Sequence, residues 1–195
     1  MQRRHALIPL IVLAFLLAGV IAWRVELIRV DRGRDRPRPL ALIPVERRAA
    51  VSCDVVLPVV PVGMARVRSA EHPLLIHYWA PWERDSRAQS AALDSLAQEF
   101  RSGELRIVLV AFDPFPSVAR YVGRQRLRLP VLLDGPGELR ARIPCPRVPH
   151  TVVLDRAGRV AVAQSGEVDW LSPETRRVLE AVERESAAGE PKRVS

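Results

Sequence analysis

The stretch Leu74–Gln89, LLIHYWAPWERDSRAQ, decides the fold of this chain. Its first part, Leu74 to Trp79, is apolar except for one histidine, which is the pattern of a central strand covered on both faces. From residue 85 to residue 100 the apolar side chains follow a helical period, at i, i+3, i+4 and i+7. A buried strand that leads directly into an amphipathic helix predicts an α/β domain.

The segments around this unit extend the same pattern. Further strands are predicted at residues 106–112, 131–133, 151–155 and 160–164, and helices at 117–125 and from residue 172 onward. Residues 50–67, rich in β-branched side chains and broken by Pro and Gly, predict a short β-hairpin before the domain. Ser172 suits the N-cap of the last helix and Pro173 its first turn. The order predicts a mixed central sheet flanked by helices.

The ends of the chain differ in composition from the middle. Residues 6–23 carry no charge and approach the ~20 residues of a membrane-spanning helix. We therefore predict that residues 1–23 form a single-pass membrane anchor; a cleaved signal peptide is the alternative, because Val20 and Ala22 fit the small-residue pattern of a processing site. Residues 24–49 are predicted as an Arg/Pro-rich linker, 50–186 as the domain and 187–195 as a flexible tail.

The chain has 195 residues and a formal net charge of +8. A positive charge of this size is typical of proteins that bind nucleic acid. Almost all of the positive charge is arginine scattered among acids, aromatic residues make up only 5%, and no nucleic-acid motif is present. We therefore predict no nucleic-acid partner. Arg120, Arg124, Arg126 and Arg128 are interpreted as a solvated face, with docking of an acidic partner as the alternative.

The central stretch resembles the membrane-tethered thiol-disulfide proteins of the TlpA and ResA type, in the thioredoxin-like superfamily. Their motif is similar to Trp-Ala-x-Trp-Cys-x-x-Cys-Arg-x-Glu, and Trp79, Ala80, Trp82 and Arg87 fit it. Glu83 and Ser86 stand at the two cysteine positions, and Gln89 replaces the acid. Downstream, VPHTVVLDRAGRV (148–160) resembles the family's Pro-Thr-x-x-x-Ile-Asp-x-x-Gly-Arg pattern with one extra residue. The resemblance covers residues 50 to 183.

The resemblance implies a thioredoxin-like fold and a cis bond between Val148 and Pro149, facing the two cysteine positions. It also implies a peptide-docking surface, which we assign to Trp79, Trp82, Val148, Pro149 and His150. Such proteins hold their domain on the periplasmic side of the cytoplasmic membrane. The positive-inside rule predicts the opposite orientation, because more arginines follow residues 6–23 than precede them.

Disulfide exchange requires a thiolate that attacks and a second thiol that resolves the mixed disulfide, and neither Glu83 nor Ser86 supplies one. The chain's two cysteines, Cys53 and Cys145, are too far apart in sequence for a redox motif or a self-contained zinc site. They form either one structural disulfide or two separate thiols. No metal or cofactor is expected.

Two histidines have alternative interpretations. His77 lies within the predicted central strand and is interpreted as a core histidine. His150 would permit a weak metal site or proton relay if it faced Glu83; the simpler interpretation is that Glu83 belongs to a solvated helix start.

Two functions follow. The first is a membrane-tethered, non-catalytic binding, scaffold or chaperone-type protein in envelope redox or protein-maturation pathways, with a protein or peptide partner. The alternative is a thiol-disulfide oxidoreductase that uses Cys145, with or without Cys53. The oligomeric state is left open.

Overall fold

The computed structural model describes residues 36–188. Seven strands and four helices follow a short 3-10 helix at Val45–Arg47. The strands are β1 (Asp54–Val60), β2 (Met64–Arg68), β3 (Leu74–Tyr78), β4 (Arg106–Ala111), β5 (Val131–Leu133), β6 (His150–Leu154) and β7 (Val160–Ser165). The helices are α1 (Arg84–Glu99), α2 (Phe115–Gln125), α3 (Glu138–Arg142) and α4 (Pro173–Ala188).

The strands form one mixed sheet in the order β2-β1-β5-β4-β3-β6-β7. Strands β3, β4 and β5 are parallel, whereas β1 and β6 pair antiparallel with β5 and β3. The register of β3 and β6 places Tyr78 beside His150. The end of β3, which leads into α1, therefore lies beside the start of β6.

The side chains of β3 alternate between the two faces of the sheet, and all of them are buried. Leu75 belongs to a core cluster that includes residues of α1, α2 and α4, among them Leu93, Val118 and Leu179. Leu74, Ile76 and Tyr78 belong to a second cluster formed with the β1–β2 hairpin and α3. Both faces of β3 are covered, as the apolar run predicts.

The predicted elements are present with shifts of a few residues at their ends, including the hairpin before the domain. The Ser172 Oγ accepts a hydrogen bond from the amide of Thr175 at 3.1 Å, which confirms the predicted cap of α4. The sequence analysis missed α3. This helix has five residues, which is too short for a helical period to be recognised.

Part of the predicted linker packs on the domain. Leu40 is only 4% exposed and belongs to the first core cluster. Its amide donates to Thr175 Oγ1 at 3.2 Å, and the Ile43 amide donates to the carbonyl of Ala161 at 2.8 Å. Arg48 forms an ion pair with the buried Asp155 at 3.1 Å. The ordered structure therefore begins before residue 50.

The predicted anchor, residues 6–23, lies outside the described residues, as do residues 189–195 of the predicted tail. Between residues 36 and 188, the structure has no helix with the length and apolar character needed to cross a membrane.

Candidate functional site

The loop from β3 to α1 holds one tryptophan inside the core and exposes the other. Trp79 is fully buried, and its amide donates to the carbonyl of Val110 at 3.0 Å. Its ring lies 4.8 Å from the ring of Tyr121 on α2. Trp82, three residues later, is 68% exposed. An exposed indole on a fixed loop is suited to contact with another molecule.

Glu83 caps the first turn of α1. Its backbone is extended, with φ −85° and ψ 125°, and its carboxylate accepts a hydrogen bond from the Ser86 amide at 2.5 Å. The Glu83 carbonyl accepts a hydrogen bond from the Arg87 amide at 3.2 Å. A carboxylate at this point binds a free amide and lies at the positive end of the helix dipole. The Glu83 side chain, where the resemblance expects the first cysteine, therefore has a structural role.

Ser86, at the position where the resemblance expects the second cysteine, is fully buried. Its hydroxyl has no hydrogen-bond partner among the described residues. A buried hydroxyl without a partner is unfavourable by about 1–3 kcal/mol, whereas a thiol behaves as a small apolar group with a weak S–H donor. This position therefore suits a thiol better than a hydroxyl.

The loop before β6 reaches the same end of the sheet. The Val148–Pro149 bond is cis, as predicted. Continuing the β3–β6 register beyond Tyr78 and His150 places Pro149 opposite Trp79. The Pro149 carbonyl accepts a hydrogen bond from the Gly166 amide at 2.9 Å, whereas the backbone of Val148 has no hydrogen bond within residues 36–188. The Val148 amide and carbonyl are therefore unpaired within residues 36–188.

His150 is turned toward β7 and the core. Its Nδ1 lies 2.8 Å from Ser165 Oγ, and its ring is stacked 6.3 Å from that of Tyr78. Burial, followed by the nearby Arg147, lowers the pKa of His150, which favours the neutral ring. Its observed contacts do not include Glu83. Within the described part of the chain, no group of three or more His, Cys, Asp or Glu residues could hold a metal ion.

The two cysteines are separate thiols, not the disulfide that the sequence left as one option. Cys53 is buried in the second core cluster, and burial raises its pKa. Cys145 is partly buried, and burial raises its pKa to about 11 although Arg140 acts in the opposite direction. Because a thiolate is the nucleophile, a raised pKa makes each thiol a poor attacking group near neutral pH.

His77 is a core residue, as the sequence analysis predicted. It is fully buried, its Nδ1 lies 3.0 Å from Thr151 Oγ1, and its ring meets that of Trp170 edge to face at 5.5 Å. Burial, followed by His150, lowers the pKa of His77 to about 3, so the ring is neutral near neutral pH. No role in binding follows from this position.

A cavity beside Trp82 was missed by the sequence analysis. Arg87 of α1 and Arg120 and Arg124 of α2 all line it. The four-residue spacing of Arg120 and Arg124 places both on one helix face, which is a signal that the sequence contains. Arg87 lies more than thirty positions earlier in the chain. Only the packing of α1 on α2 shows that it lines the same cavity. Arg126 and Arg128 do not line this cavity.

Comparison with known proteins gives short sequence matches. No protein-family model matches the chain. Thioredoxin 1 of Nostoc is 29% identical over 69 residues, which cover 35% of this chain and 64% of the relative. Thioredoxin 1 of Synechococcus elongatus is 34% identical over 64 residues, which cover 32% of this chain and 59% of the relative. Each match thus spans less than two thirds of the thioredoxin's length.

The structural comparison covers more of the chain. A thiol:disulfide interchange protein of Chlorobium tepidum, described as a thioredoxin family protein, superposes with a TM-score of 0.59. The match has 17% identity and covers 69% of this chain and 97% of that one. The strand order, the cis-proline loop before β6 and this superposition all indicate the same fold. The chain has the fold of the thioredoxin-like superfamily.

Proposed function

We propose that this protein is a non-catalytic member of the thioredoxin-like superfamily that binds an extended segment of a partner protein. The observation that carries the proposal is the hydrogen bond from the Ser86 amide to the Glu83 carboxylate. This bond joins the two positions where the resemblance expects cysteines. Both residues therefore serve to cap the start of α1. The raised pKa values of Cys53 and Cys145 support the same conclusion, because neither thiol is activated.

The binding surface consists of Trp82 and the Val148–Pro149 loop. Trp82 supplies a large apolar contact, and Val148 supplies an amide and a carbonyl for pairing with an extended chain. Trp79, Pro149 and His150, which the sequence analysis included in this surface, are buried, so their side chains do not form part of it. The partner's backbone would align along Val148, with a side chain against Trp82.

Residues 6–23 would tether this domain to the cytoplasmic membrane, with the domain on the periplasmic side. The uncharged run and the resemblance support this part of the proposal, whereas the arginine count favours the reverse orientation. Protease added to cells with a permeabilised outer barrier and an intact inner membrane should digest the domain. Full protection until the inner membrane is lysed would contradict this orientation.

Binding is tested with the full-length protein and two probes, a labelled uncharged extended peptide and an unfolded carbamidomethylated protein. Trp82→Ala should weaken the binding of both. Met64→Ala is the matched control, because Met64 is 63% exposed but lies on the edge strand β2, away from β3 in the sheet. Failure of both probes to bind the folded wild-type protein, or equal effects of the two substitutions, would contradict the proposed surface. The alternative, an oxidoreductase that uses Cys145, is tested by the reductase assay described at the end of the Discussion.

A further inference from the structure

The cavity beside Trp82 is a cationic groove between the start of α1 and the length of α2. It has a volume of about 400 Å³. Its charged lining consists of Arg87, Arg120, Arg124 and Asp113, and Trp82 and Tyr121 contribute aromatic rings. We call this feature the arginine groove. Three positive charges against one negative charge leave a net charge of +2 on its lining.

The position of Arg87 beside α2 is set by Tyr121. The Tyr121 hydroxyl donates to the Arg87 carbonyl at 3.0 Å and also lies 3.0 Å from Ser90 Oγ. These contacts join the first turns of α1 to the middle of α2. Arg120 and Arg124, one helical turn apart, project from the same face of α2. The arginine groove is thus built on two helices whose backbones are joined at Tyr121.

Among the residues that line the groove, one acid, Asp113, stands against three arginines. Some other arginines at the surface pair with carboxylates, as Arg66 does with Asp54 at 2.6 Å and Arg176 with Glu99 at 2.6 Å. Within residues 36–188, the side chains of Arg87, Arg120 and Arg124 form no ion pair or hydrogen bond, and Asp113 does not neutralise them. Like charges at this spacing on a helix are unfavourable, and a bound anion would relieve the repulsion.

We infer that the arginine groove binds an acidic segment of the partner protein, with carboxylates on the three arginines and an apolar side chain against Trp82. This inference rests on the proposed function and adds the chemistry of the partner to it. Guanidinium groups bind carboxylates through paired hydrogen bonds. Arg, Trp and Tyr are the residues most enriched where proteins bind each other strongly. The groove, with a volume of about 400 Å³, has room for only a few side chains of the partner.

The test measures binding of labelled peptides to the full-length protein. One peptide carries several glutamates among apolar residues, and the matched peptide carries glutamines in their place. Arg120→Gln with Arg124→Gln is compared with Arg177→Gln with Arg184→Gln, which removes the same charge from exposed positions on α4. We expect the groove variant to bind the acidic peptide about tenfold more weakly, and the α4 variant to bind it as the wild type does. Added salt should weaken binding of the acidic peptide.

Several results would overturn the inference. Equal affinity for the two peptides, or equal effects of the two double variants, would show that the arginine groove does not bind the acidic segment. Tighter binding of a single-stranded oligonucleotide, or of anionic lipid vesicles, with the same dependence on Arg120 and Arg124 would assign the groove to that ligand. If the glutamine peptide binds, and its binding depends on Trp82 but not on the arginines, the proposed function would be supported and the role of the arginine groove would be contradicted. If neither peptide binds the folded protein, the proposed function fails as well.

Discussion

The Glu83 carboxylate accepts a hydrogen bond from the amide of Ser86 at 2.5 Å, across the two positions where the resemblance expects cysteines. The resemblance concerns a site whose helix start favours a thiolate, and the same electrostatics favour a carboxylate. In this protein, a carboxylate and a hydroxyl stand at the start of α1, and neither side chain can form a disulfide. The contact therefore links the local structure of α1 directly to the proposed loss of catalysis.

Replacing Glu83 by alanine removes the cap of α1. We expect the free energy of unfolding to fall by about 1 kcal/mol, within the range of about 0.5–2 kcal/mol for a lost N-cap. The measurement is urea denaturation followed by circular dichroism. Arg84→Ala is the control, because Arg84 is exposed and does not cap the helix. Equal stability of the two variants would show that the Glu83–Ser86 bond contributes nothing.

Replacing Ser86 by alanine should stabilise the protein. The buried Ser86 hydroxyl has no partner within the described residues, so its removal relieves a desolvation penalty of about 1–3 kcal/mol. Ser95→Ala on the exposed face of α1 is the matched control, since it changes helix propensity in the same way. Denaturation midpoints should rank Ser86→Ala above Ser95→Ala. A destabilised Ser86→Ala protein would mean that the hydroxyl has a partner in solution, such as a buried water.

Cys145 should resist alkylation near neutral pH. Burial raises its pKa to about 11, so the thiolate that reacts with iodoacetamide forms only at higher pH than for an ordinary thiol with a pKa of about 8.5. The alkylation rate, followed by mass spectrometry of the Cys145 peptide, should keep rising to about pH 11. The urea-unfolded protein is the control, and its alkylation rate should level off at a lower pH. If the alkylation rate of the folded protein levels off below pH 8, the raised pKa would be contradicted. Cys145 would then be a candidate redox thiol.

Local patterns predicted most of the fold. The apolar run at β3 and the helical period of α1 identified the centre of the sheet, and Ser172 with Pro173 identified the start of α4. These signals succeed because a hydrophobic period and a helix cap can each be read from a few neighbouring residues. The cis bond before Pro149 came from the resemblance and not from the local pattern.

Non-local packing explains what the sequence analysis missed. Leu40 is buried because residues of β7 and α4 bond to its segment, and nothing within residues 24–49 indicates those partners. The same holds for Arg87, which lines the arginine groove because α1 packs on α2, where Tyr121 donates to the Arg87 carbonyl. For Ser86, the sequence identified the position but not that its hydroxyl is buried without a partner.

The most direct test of the account is a disulfide reductase assay with insulin and dithiothreitol. The wild-type protein should show no activity above a denatured control. Glu83→Cys with Ser86→Cys should close an intramolecular disulfide and gain activity, because the fold still presents these positions at a helix N-terminus. The single variants Glu83→Cys and Ser86→Cys are the controls, since each lacks a resolving thiol. Wild-type activity that disappears in Cys145→Ser would contradict the non-catalytic account, and a folded double variant that cannot form the disulfide would contradict the assignment of the two positions.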